Sequence, residues 1–288
     1  MKNFCTAADV NFAPRVLALN DSLKKFSNDY TLHLLCLDKE IFDAIEDENI
    51  KKYSLSSLMR TDKLLESASS NKPSREALIN SKSIEQATKL QFIWALSAYF
   101  SWYCLDVLEI EDILYIDSDI YFYNDWRVIY ESVGEASVGI VEHRCKYNPD
   151  NGKYNVGIVY FKNDLDGYRC AFFWKNWLLT VGHEYYESHS TCGDQKYLEL
   201  FPILFDNVIV LDKFIGHLAP WNFLSHEYKK NKIIWNGIEQ DLLYCHFSNF
   251  KLTPDGYVVA ARHGYISPPN QYIKSISDEY YEKLRQYK

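Results

Sequence analysis

The amino-acid sequence predicts an α/β protein whose central sheet is mostly parallel and flanked by helices. Segments with the patterns of strands and helices alternate at short intervals from the start of the chain, which is typical of parallel sheets. A long apolar segment then leads into a buried strand that ends in two aspartates. Apolar residues make up 47% of the 288 residues and charged residues 24%, so the chain can form a large core.

The first part of the chain predicts two strands, each followed by a helix. Residues 3–6 are predicted as a short buried strand, and apolar side chains recur with helical spacing over residues 12–26. Asn11 stands where it could cap that helix. Residues 30–36 predict a second strand, and Asp38 begins a short helix. This order indicates parallel strands joined by helices.

The middle of the chain contains a polar segment and a long apolar one. Residues 55–85 are polar and weakly periodic, and they form either a mobile lid or a surface excursion. The longest uncharged run, residues 90–105, is shorter than the roughly 20 apolar residues of a membrane-spanning helix. We therefore predict a buried core helix over residues 86–104, followed by a strand at 113–116.

The rest of the chain predicts further strands and helices without a linker or a repeat. Strands are expected at 138–141, 156–161, 208–211 and 242–244, and helices at 165–179 and 194–200. A proline-marked tail follows from Ser267. Because no linker divides the chain, we predict a single domain over residues 1–288.

The charge balance argues against a protein that binds duplex nucleic acid through its phosphates. The chain has 31 Lys and Arg against 39 Asp and Glu, which gives a net charge of −8. An anionic ligand would therefore need another source of attraction, and a metal ion is the obvious one. The seven cysteines are scattered without zinc-ligand spacing, which favours reduced, mostly buried thiols in a cytosolic protein.

The motif Asp117-Ser118-Asp119 is the sharpest local feature of the sequence. An apolar strand delivers two carboxylates to its end, which is where parallel α/β sheets bind ligands. Hard oxygen ligands select Mg²⁺ or Mn²⁺, although two acidic residues at a strand end also form ordinary turns. His246 follows another short apolar strand and is either a third ligand or a structural histidine.

Four other polar residues are candidates for a site, and three of them, all except Gln195, also have a structural alternative. Asp194 and Gln195 stand at a predicted helix N-terminus, where Asp194 could simply be the N-cap. Asn155 opens a strand and could close a turn. Asp9 lies at a strand-to-helix junction, where it could accept a hydrogen bond from a base or ribose, or cap the helix.

These segments, in this order, resemble the GT-A-fold glycosyltransferases, and most closely the family-8-like retaining enzymes of bacteria that use nucleotide sugars. The resemblance spans nearly the whole chain and rests on five short motifs taken together. They are Thr6-Ala-Ala-Asp-Val-Asn-Phe12, Ile113-Leu-Tyr-Ile-Asp-Ser-Asp119, Asn155-Val-Gly157, Gly193-Asp-Gln195 and Tyr244-Cys-His-Phe-Ser248. The resemblance implies the GT-A fold, a Rossmann-like fold of nucleotide-diphospho-sugar transferases.

The resemblance also implies a role for each matched residue. Mn²⁺ or Mg²⁺ would be held by Asp117, Asp119 and His246. The donor would be bound by Ala7, Ala8, Asp9, Phe12, Lys89, Ser118, Asn155 and Gly157. The catalytic residues would be Asp194 and Gln195. After the histidine the family continues with a glycine and then Lys-Pro-Trp, whereas here Lys251 is displaced, so no phosphate contact is assigned to it.

For the whole chain, the resemblance implies a metal-dependent glycosyltransferase that uses a nucleoside-diphosphate sugar, a UDP-sugar, and acts with retention. Its acceptor would be a glycan, a lipid-linked sugar or a surface polysaccharide. Residues 1–120 would form the nucleotide-binding half, residues 121–266 the half for the donor sugar and acceptor, and residues 267–288 a tail. Residues 55–85 and the tail are candidates for acceptor contact.

Two alternatives to a glycosyltransferase remain at this point. A sugar nucleotidyltransferase also uses paired acids and Mg²⁺, but the sequence has no early glycine-rich loop to hold a triphosphate. A non-catalytic carbohydrate-binding protein is suggested by the 23 tyrosines and 7 tryptophans. We expect no nucleic-acid partner and no transmembrane segment, with a location in the cytoplasm or peripherally at the inner face of the membrane.

Overall fold

The computed structural model of the chain describes residues 1–146, 152–180, 194–230, 232–261, 264–265, 268 and 270–287. The strands are Lys2–Ala8 (β1), Tyr30–Cys36 (β2), Ile50–Ser54 (β3), Asp112–Ile116 (β4), Ile120–Phe122 (β5), Val138–Glu142 (β6), Tyr154–Lys162 (β7), Val208–Val210 (β8), Gly216–Leu218 (β9), Glu227–Lys229 (β10), Lys232–Trp235 (β11), Ile238–His246 (β12), Phe250–Thr253 (β13), Gly256–Ala261 (β14) and Gly264–Tyr265 (β15). The α-helices are Ala13–Lys24 (α1), Lys39–Ala44 (α2), Leu55–Thr61 (α3), Lys63–Ala68 (α4), Arg75–Ile79 (α5), Ile84–Asp106 (α6), Arg127–Val133 (α7), Leu165–Leu179 (α8), Phe201–Leu204 (α9) and Gln271–Arg285 (α10).

A seven-stranded sheet lies at the centre of the fold, in the order β3-β2-β1-β4-β7-β6-β8. Strands β3, β2, β1 and β4 are parallel to one another, β7 is antiparallel to both of its neighbours, and β8 is parallel to β6. This confirms the predicted α/β class with a mostly parallel central sheet. The register pairs Cys5 with Tyr115, so the carboxyl ends of β1 and β4 lie side by side.

Alternate side chains of the central strands pack against different helices. Cys5 and Tyr115 belong to a core cluster shared with α6 and α8, whereas Phe4 and Leu114 belong to a cluster shared with α1 and α2. A strand buried on both faces requires this alternation, because successive side chains point to opposite sides of the sheet. The helices therefore cover both faces of the central sheet, and the carboxyl ends of its strands are left open for ligands.

A second sheet is built around β12 and connects the segment after His246 to the turn that carries Asp117 and Asp119. Strand β12 is antiparallel to β5 and β11 and parallel to β9. The β5–β12 register pairs Ile120 with His246, and the backbone N–H of Phe247 donates to the carbonyl of Asp119 at 2.9 Å. This ladder holds the segment after His246 against the turn that carries both aspartates.

The start of the first helix differs from the prediction. Asp9, and not Asn11, is the capping residue: its side chain accepts a hydrogen bond from the backbone N–H of Asn11 at 3.0 Å. A 3-10 turn over Val10–Phe12 therefore precedes α1, which begins at Ala13. The prediction for Asn11 was wrong because the chain leaves β1 and begins to turn immediately, which moves the cap to Asp9.

Two segments without a predicted regular structure contain helices. Residues 55–85 hold α3, α4 and α5, and the tail holds α10, although Ser267 itself lies outside the described residues. Helix α10 buries Ile273, Ile276, Tyr280 and Leu284 in a core cluster with residues of β12. None of the helices in the described part of the chain has the length and apolar character needed to cross a membrane.

Candidate functional site

A cavity of about 600 Å³ opens where β1, β4 and β12 end. Ten of the predicted site residues line it, namely Ala7, Ala8, Asp9, Phe12, Asp117, Ser118, Asp119, Asp194, Gln195 and His246. The other three lie elsewhere: Lys89 is exposed on α6, whereas Asn155 and Gly157 are buried in β7. The edge of the sheet thus gathers residues that are far apart in sequence into one cavity.

Asp117, Asp119 and His246 form a compact group on the wall of this cavity. One ligand atom from each side chain lies within 4.8 Å of the other two. His246 Nε2 lies 3.0 Å from Asp119 Oδ1 and 3.4 Å from Asp117 Oδ2. The turn after β4 is closed by a hydrogen bond from the Ile120 N–H to the Asp117 carbonyl at 3.1 Å, which brings both carboxylates to the same side.

The charges of these three side chains shift one another's pKa values. Burial alone would lower the pKa of His246, but Asp119 and then Asp117 raise it above its usual value. Burial and the neighbouring charge of Asp119 raise the pKa of Asp117, although His246 and a hydrogen bond that Tyr115 donates to the carboxylate at 2.8 Å both act to lower it. Burial opposes ionisation of Asp119 as well, but His246 and Arg15 lower its pKa below the usual value.

The three side chains fit a divalent cation. Two carboxylates and one imidazole are hard or borderline ligands of the kind that Mg²⁺ and Mn²⁺ accept. Both carboxylates already face Nε2 of His246, the atom that would bind the ion, and Nδ1 is buried without a hydrogen-bond partner among the described residues. A cation here would take the place of the proton that the two aspartates favour on the imidazole.

Asn155 and Gly157 support this group from behind. A Cβ atom on Gly157 would lie 2.6 Å from His246 Nδ1, so only glycine leaves room for the ring. The Gly157 carbonyl accepts a hydrogen bond from the Asp117 N–H at 3.0 Å. The Asn155 side chain accepts from the Gly157 N–H at 3.0 Å and donates to the Glu142 carbonyl at 3.1 Å. The two residues therefore position the segments that carry the candidate ligands.

The sequence left open that Asp194 is simply the N-cap of a helix, but its side chain makes no capping hydrogen bond. A 3-10 helix, Gln195–Leu200, follows, and the carboxylate instead accepts a hydrogen bond from the Ser97 hydroxyl on α6 at 2.9 Å. Burial, together with the charge of Asp117, raises the pKa of Asp194 to about 8. Gln195 contacts the ring of His143 at 3.0 Å. Gly193, the preceding motif residue, lies outside the described residues.

The cavity is also lined by an aromatic ring and a short polar turn. Phe12 is 38% exposed, and the guanidinium of Arg15 covers one face of its ring at 4.6 Å from the centroid. Asp9 lines the cavity while it caps the turn before α1. Lys251 does not line the cavity, where Ser248 and Asn249 lie instead.

The chain is similar to known proteins in sequence and in structure. YfnF of Bacillus subtilis (strain 168), an uncharacterized protein, is 24% identical over 263 residues, which cover 86% of this chain and 82% of YfnF. The uncharacterized YfnD of the same organism is 23% identical over 266 residues, covering 88% of this chain and 79% of YfnD. No protein-family model matches the chain.

The solved structures decide the fold. Mouse xyloside xylosyltransferase 1 in its apo form superposes with a TM-score of 0.55 at 13% identity, covering 86% of this chain and 98% of that one. The galactosyltransferase LgtC, in complex with donor and acceptor sugar analogs, superposes with a TM-score of 0.53 at 12% identity, covering 99% and 95%. An active-site mutant of LgtC gives a TM-score of 0.56 at 12% identity. The chain has the GT-A fold.

Several residues that line the GT-A cavity were not found from the sequence. Trp221 packs edge-on against His246 with ring centroids 5.1 Å apart, and Trp94 and Ser97 face the cavity from α6. His143 contacts Gln195 from the end of β6. Ser97 interrupts an apolar helix, which is a usable signal. Trp221 and His143 lie in irregular segments, where hydrophobic periodicity gives none.

Proposed function

We propose that the chain is a metal-dependent glycosyltransferase that moves a sugar from a nucleoside-diphosphate donor, a UDP-sugar, to a glycan or lipid-linked acceptor with retention. The observation that carries this proposal is the convergence of Asp117, Asp119 and His246 in a cavity that also contains Asp194 and Gln195. The GT-A fold and the donor and acceptor analogs named for LgtC support the same class of reaction. Single-domain organisation over residues 1–288 is part of this proposal.

The proposed cation site would allow an acidic protein to bind an anionic donor. A divalent cation at the two aspartates and His246 would stabilise the negative charge of the departing nucleoside diphosphate. Phe12 has one ring face covered by Arg15, and we assign its other face to the nucleotide base. Ala7, Ala8 and Asp9, at the end of β1, would then contact the nucleoside.

The sugar end of the donor is assigned to Asp194 and Gln195. Cleavage of the sugar–phosphate bond gives the sugar oxocarbenium character, which oxygen dipoles stabilise. Burial, together with the charge of Asp117, raises the pKa of Asp194 to about 8 in the unliganded protein. Retention would follow either from attack by Asp194 through a covalent intermediate or from front-face transfer in which both residues orient and stabilise the sugar.

The acceptor is assigned to the wall formed by α5 and α6. Glu76 and Asn80 line the cavity there, beside the apolar side chains of Leu90, Ile93 and Trp94. A half-buried tryptophan suits one face of a sugar ring, and the neighbouring polar groups can bind hydroxyls. Part of the predicted acceptor segment, residues 55–85, thus borders the cavity.

The test is metal-dependent turnover of a panel of nucleotide sugars without an acceptor. Wild-type protein should release a nucleoside diphosphate only with Mn²⁺ or Mg²⁺, and should be thermally stabilised by the nucleotide and Mn²⁺ together. Asp119→Ala should lose both effects while keeping its fold. The control Asp125→Ala, which removes an exposed carboxylate paired with Arg127, should keep both.

Other outcomes would contradict the proposal in distinguishable ways. Release of pyrophosphate from nucleoside triphosphate and sugar phosphate would indicate a nucleotidyltransferase. Tight sugar binding with no product would indicate a binding protein. Stabilisation by nucleotide and Mn²⁺ that persists unchanged in Asp119→Ala would remove this residue from the metal site.

A further inference from the structure

The segment formed by α5 and the start of α6 presents apolar side chains to solvent beside the cavity. Leu78 and Ile79 on α5 are 43% and 70% exposed, and Ile84, the first residue of α6, is 70% exposed. Single exposed apolar side chains are ordinary on protein surfaces, but these three occur within one short segment. The solvent side of residues 72–84 is called the 72–84 face below.

Hydrogen bonds hold this segment against α6 at both ends. The buried side-chain amide of Gln91 on α6 donates to the Lys72 carbonyl at 3.1 Å and accepts from the Ser74 N–H. Ser74 in turn is the N-cap of α5. At the other end, the Gln86 side chain on α6 accepts from the Lys82 N–H at 3.1 Å. The exposed side chains therefore stand on a segment that is fixed to the rest of the fold.

The short helix α5 turns one side to the cavity and another to solvent. Glu76 and the C-cap residue Asn80 are four residues apart and both line the cavity. Arg75, Leu78 and Ile79 follow the spacing of three and four residues that places side chains on one side of a helix, and all three are exposed. Because the solvent side of a helix is normally polar, two adjacent apolar side chains there favour contact with a partly apolar surface.

The same face is basic in an acidic protein. Residues 72–84 contain three exposed cations, Lys72, Arg75 and Lys82, and one acidic residue, Glu76, which lines the cavity. The chain as a whole has a net charge of −8. Within the part of the chain that the structure describes, none of the three cations forms an ion pair. The 72–84 face is thus complementary in charge to an anionic surface.

An anionic lipid bilayer accounts for both properties of the face. Apolar side chains of an interfacial segment enter the headgroup region, while neighbouring cations are attracted to anionic lipids. An acidic protein surface would account for the cations alone. We propose that the 72–84 face binds the surface of an anionic bilayer and holds the α5–α6 wall of the cavity beside it. A lipid-linked acceptor would then reach Glu76 and Asn80 from that bilayer, a step that rests on the proposed function.

Two double variants separate the apolar from the charged contribution. Ile79→Ser with Ile84→Ser removes the two most exposed apolar side chains of the face and keeps its charge. Arg75→Glu with Lys82→Glu reverses two charges and keeps the apolar side chains. None of these four residues lines the cavity, so both variants should keep the thermal stabilisation by nucleotide and Mn²⁺, which also shows that they fold.

The matched control removes exposed apolar side chains that have no basic neighbourhood. Ile203 and Leu204 on α9 are 73% and 53% exposed and do not line the cavity, and the acidic Asp206 follows them two residues later. Ile203→Ser with Leu204→Ser therefore lowers the exposed apolar area by a similar amount at a different place. It tests whether any loss of exposed apolar surface has the same effect.

The measurement is co-sedimentation of the protein with vesicles of equal parts phosphatidylcholine and phosphatidylglycerol, compared with phosphatidylcholine alone. Wild-type protein should bind the anionic vesicles at least about tenfold more tightly than the neutral ones, and added salt should weaken this binding. The charge-reversed variant should lose at least about tenfold in partition coefficient, and the serine variant on the order of 10- to 100-fold. The control should stay within about threefold of wild type.

Three results would overturn the proposal. They are no binding of wild-type protein to the anionic vesicles, equal losses in the control and in the serine variant, and a face whose substitution changes the sedimentation coefficient of the protein without vesicles. The last result would show that the face joins two copies of the chain. If wild-type protein turns over no nucleotide sugar, the proposed function fails, whereas the vesicle measurement still decides whether the face binds a bilayer.

Discussion

Gly157→Ala is expected to damage the candidate metal site and to lower the stability of the fold. Gly157 lies in β7 between two ligand segments: its carbonyl accepts from the Asp117 N–H, and its Cα faces the ring of His246. An added Cβ would lie 2.6 Å from His246 Nδ1, 2.9 Å from Asn155 Oδ1 and 3.1 Å from His246 Cε1. All three neighbours are held in a buried region, so the methyl group must displace the ring or the strand.

The size of the displacement follows from contact distances. Non-bonded heavy atoms of this size separate by about 3.5 Å, so the ring must retreat by about 0.9 Å from its present 2.6 Å. Metal–ligand bonds tolerate deviations of only about 0.2 Å. We therefore expect Mn²⁺ affinity to fall by about 10- to 100-fold, with an overpacking cost of about 1–3 kcal/mol in the free energy of unfolding.

The assay is calorimetric titration of the protein with Mn²⁺, together with urea unfolding at the same pH. Gly139→Ala is the matched control, because Gly139 lies in the neighbouring strand β6 and its added Cβ would approach three side-chain atoms at 3.3 Å. The control should lose some stability and keep the wild-type Mn²⁺ affinity. Undiminished Mn²⁺ affinity in Gly157→Ala would refute the reasoning, since the ring of His246 would then not be needed where the structure has it.

Two further predictions concern stability. Burial lowers the pKa of His33 to about 4, so only the unfolded chain gains a proton there as the pH falls from 6.5 toward 5. The free energy of unfolding should therefore fall by about 2 kcal/mol between pH 7 and pH 5 because of this residue. Urea unfolding of His33→Gln should show a decrease smaller by that amount, and an unchanged pH dependence would contradict the prediction. Arg144→Met should lower the free energy of unfolding by about 3–5 kcal/mol, because the Asp212 carboxylate loses the buried guanidinium that it contacts. In a double-mutant cycle with Asp212→Asn, the two losses should be far from additive. Additive losses would show that the two residues are not coupled.

The central sheet could be predicted because its strands carry their signal locally. Strands β2 and β4 are short apolar runs between polar segments, and the structure places them within a residue of the predicted bounds. The second sheet was largely missed, since β12 begins with exposed Ile238 and Glu239 and only its later residues are buried. Partners such as β5 and β9 are three-residue strands that pair with β12 and are too short to give a pattern of their own.

The candidate site could be predicted where a motif lies at the end of a strand. The three candidate ligands do lie together, but their roles in binding a metal stay predictions, as do those of Asp194 and Gln195 in catalysis. Lys89 shows the limit of placing a residue by loose position along a helix, since it is exposed and does not line the cavity. His143 and Trp221 depend on tertiary contacts with Gln195 and His246, which no local pattern encodes.

The backbone hydrogen bond from Phe247 to Asp119 has a consequence for biosynthesis. During translation both aspartates emerge from the ribosome more than a hundred residues before the histidine. The set of candidate ligands is therefore incomplete until β12 pairs with β5. If the proposed metal role holds, all three ligands become available to the cation only after β12 has paired with β5.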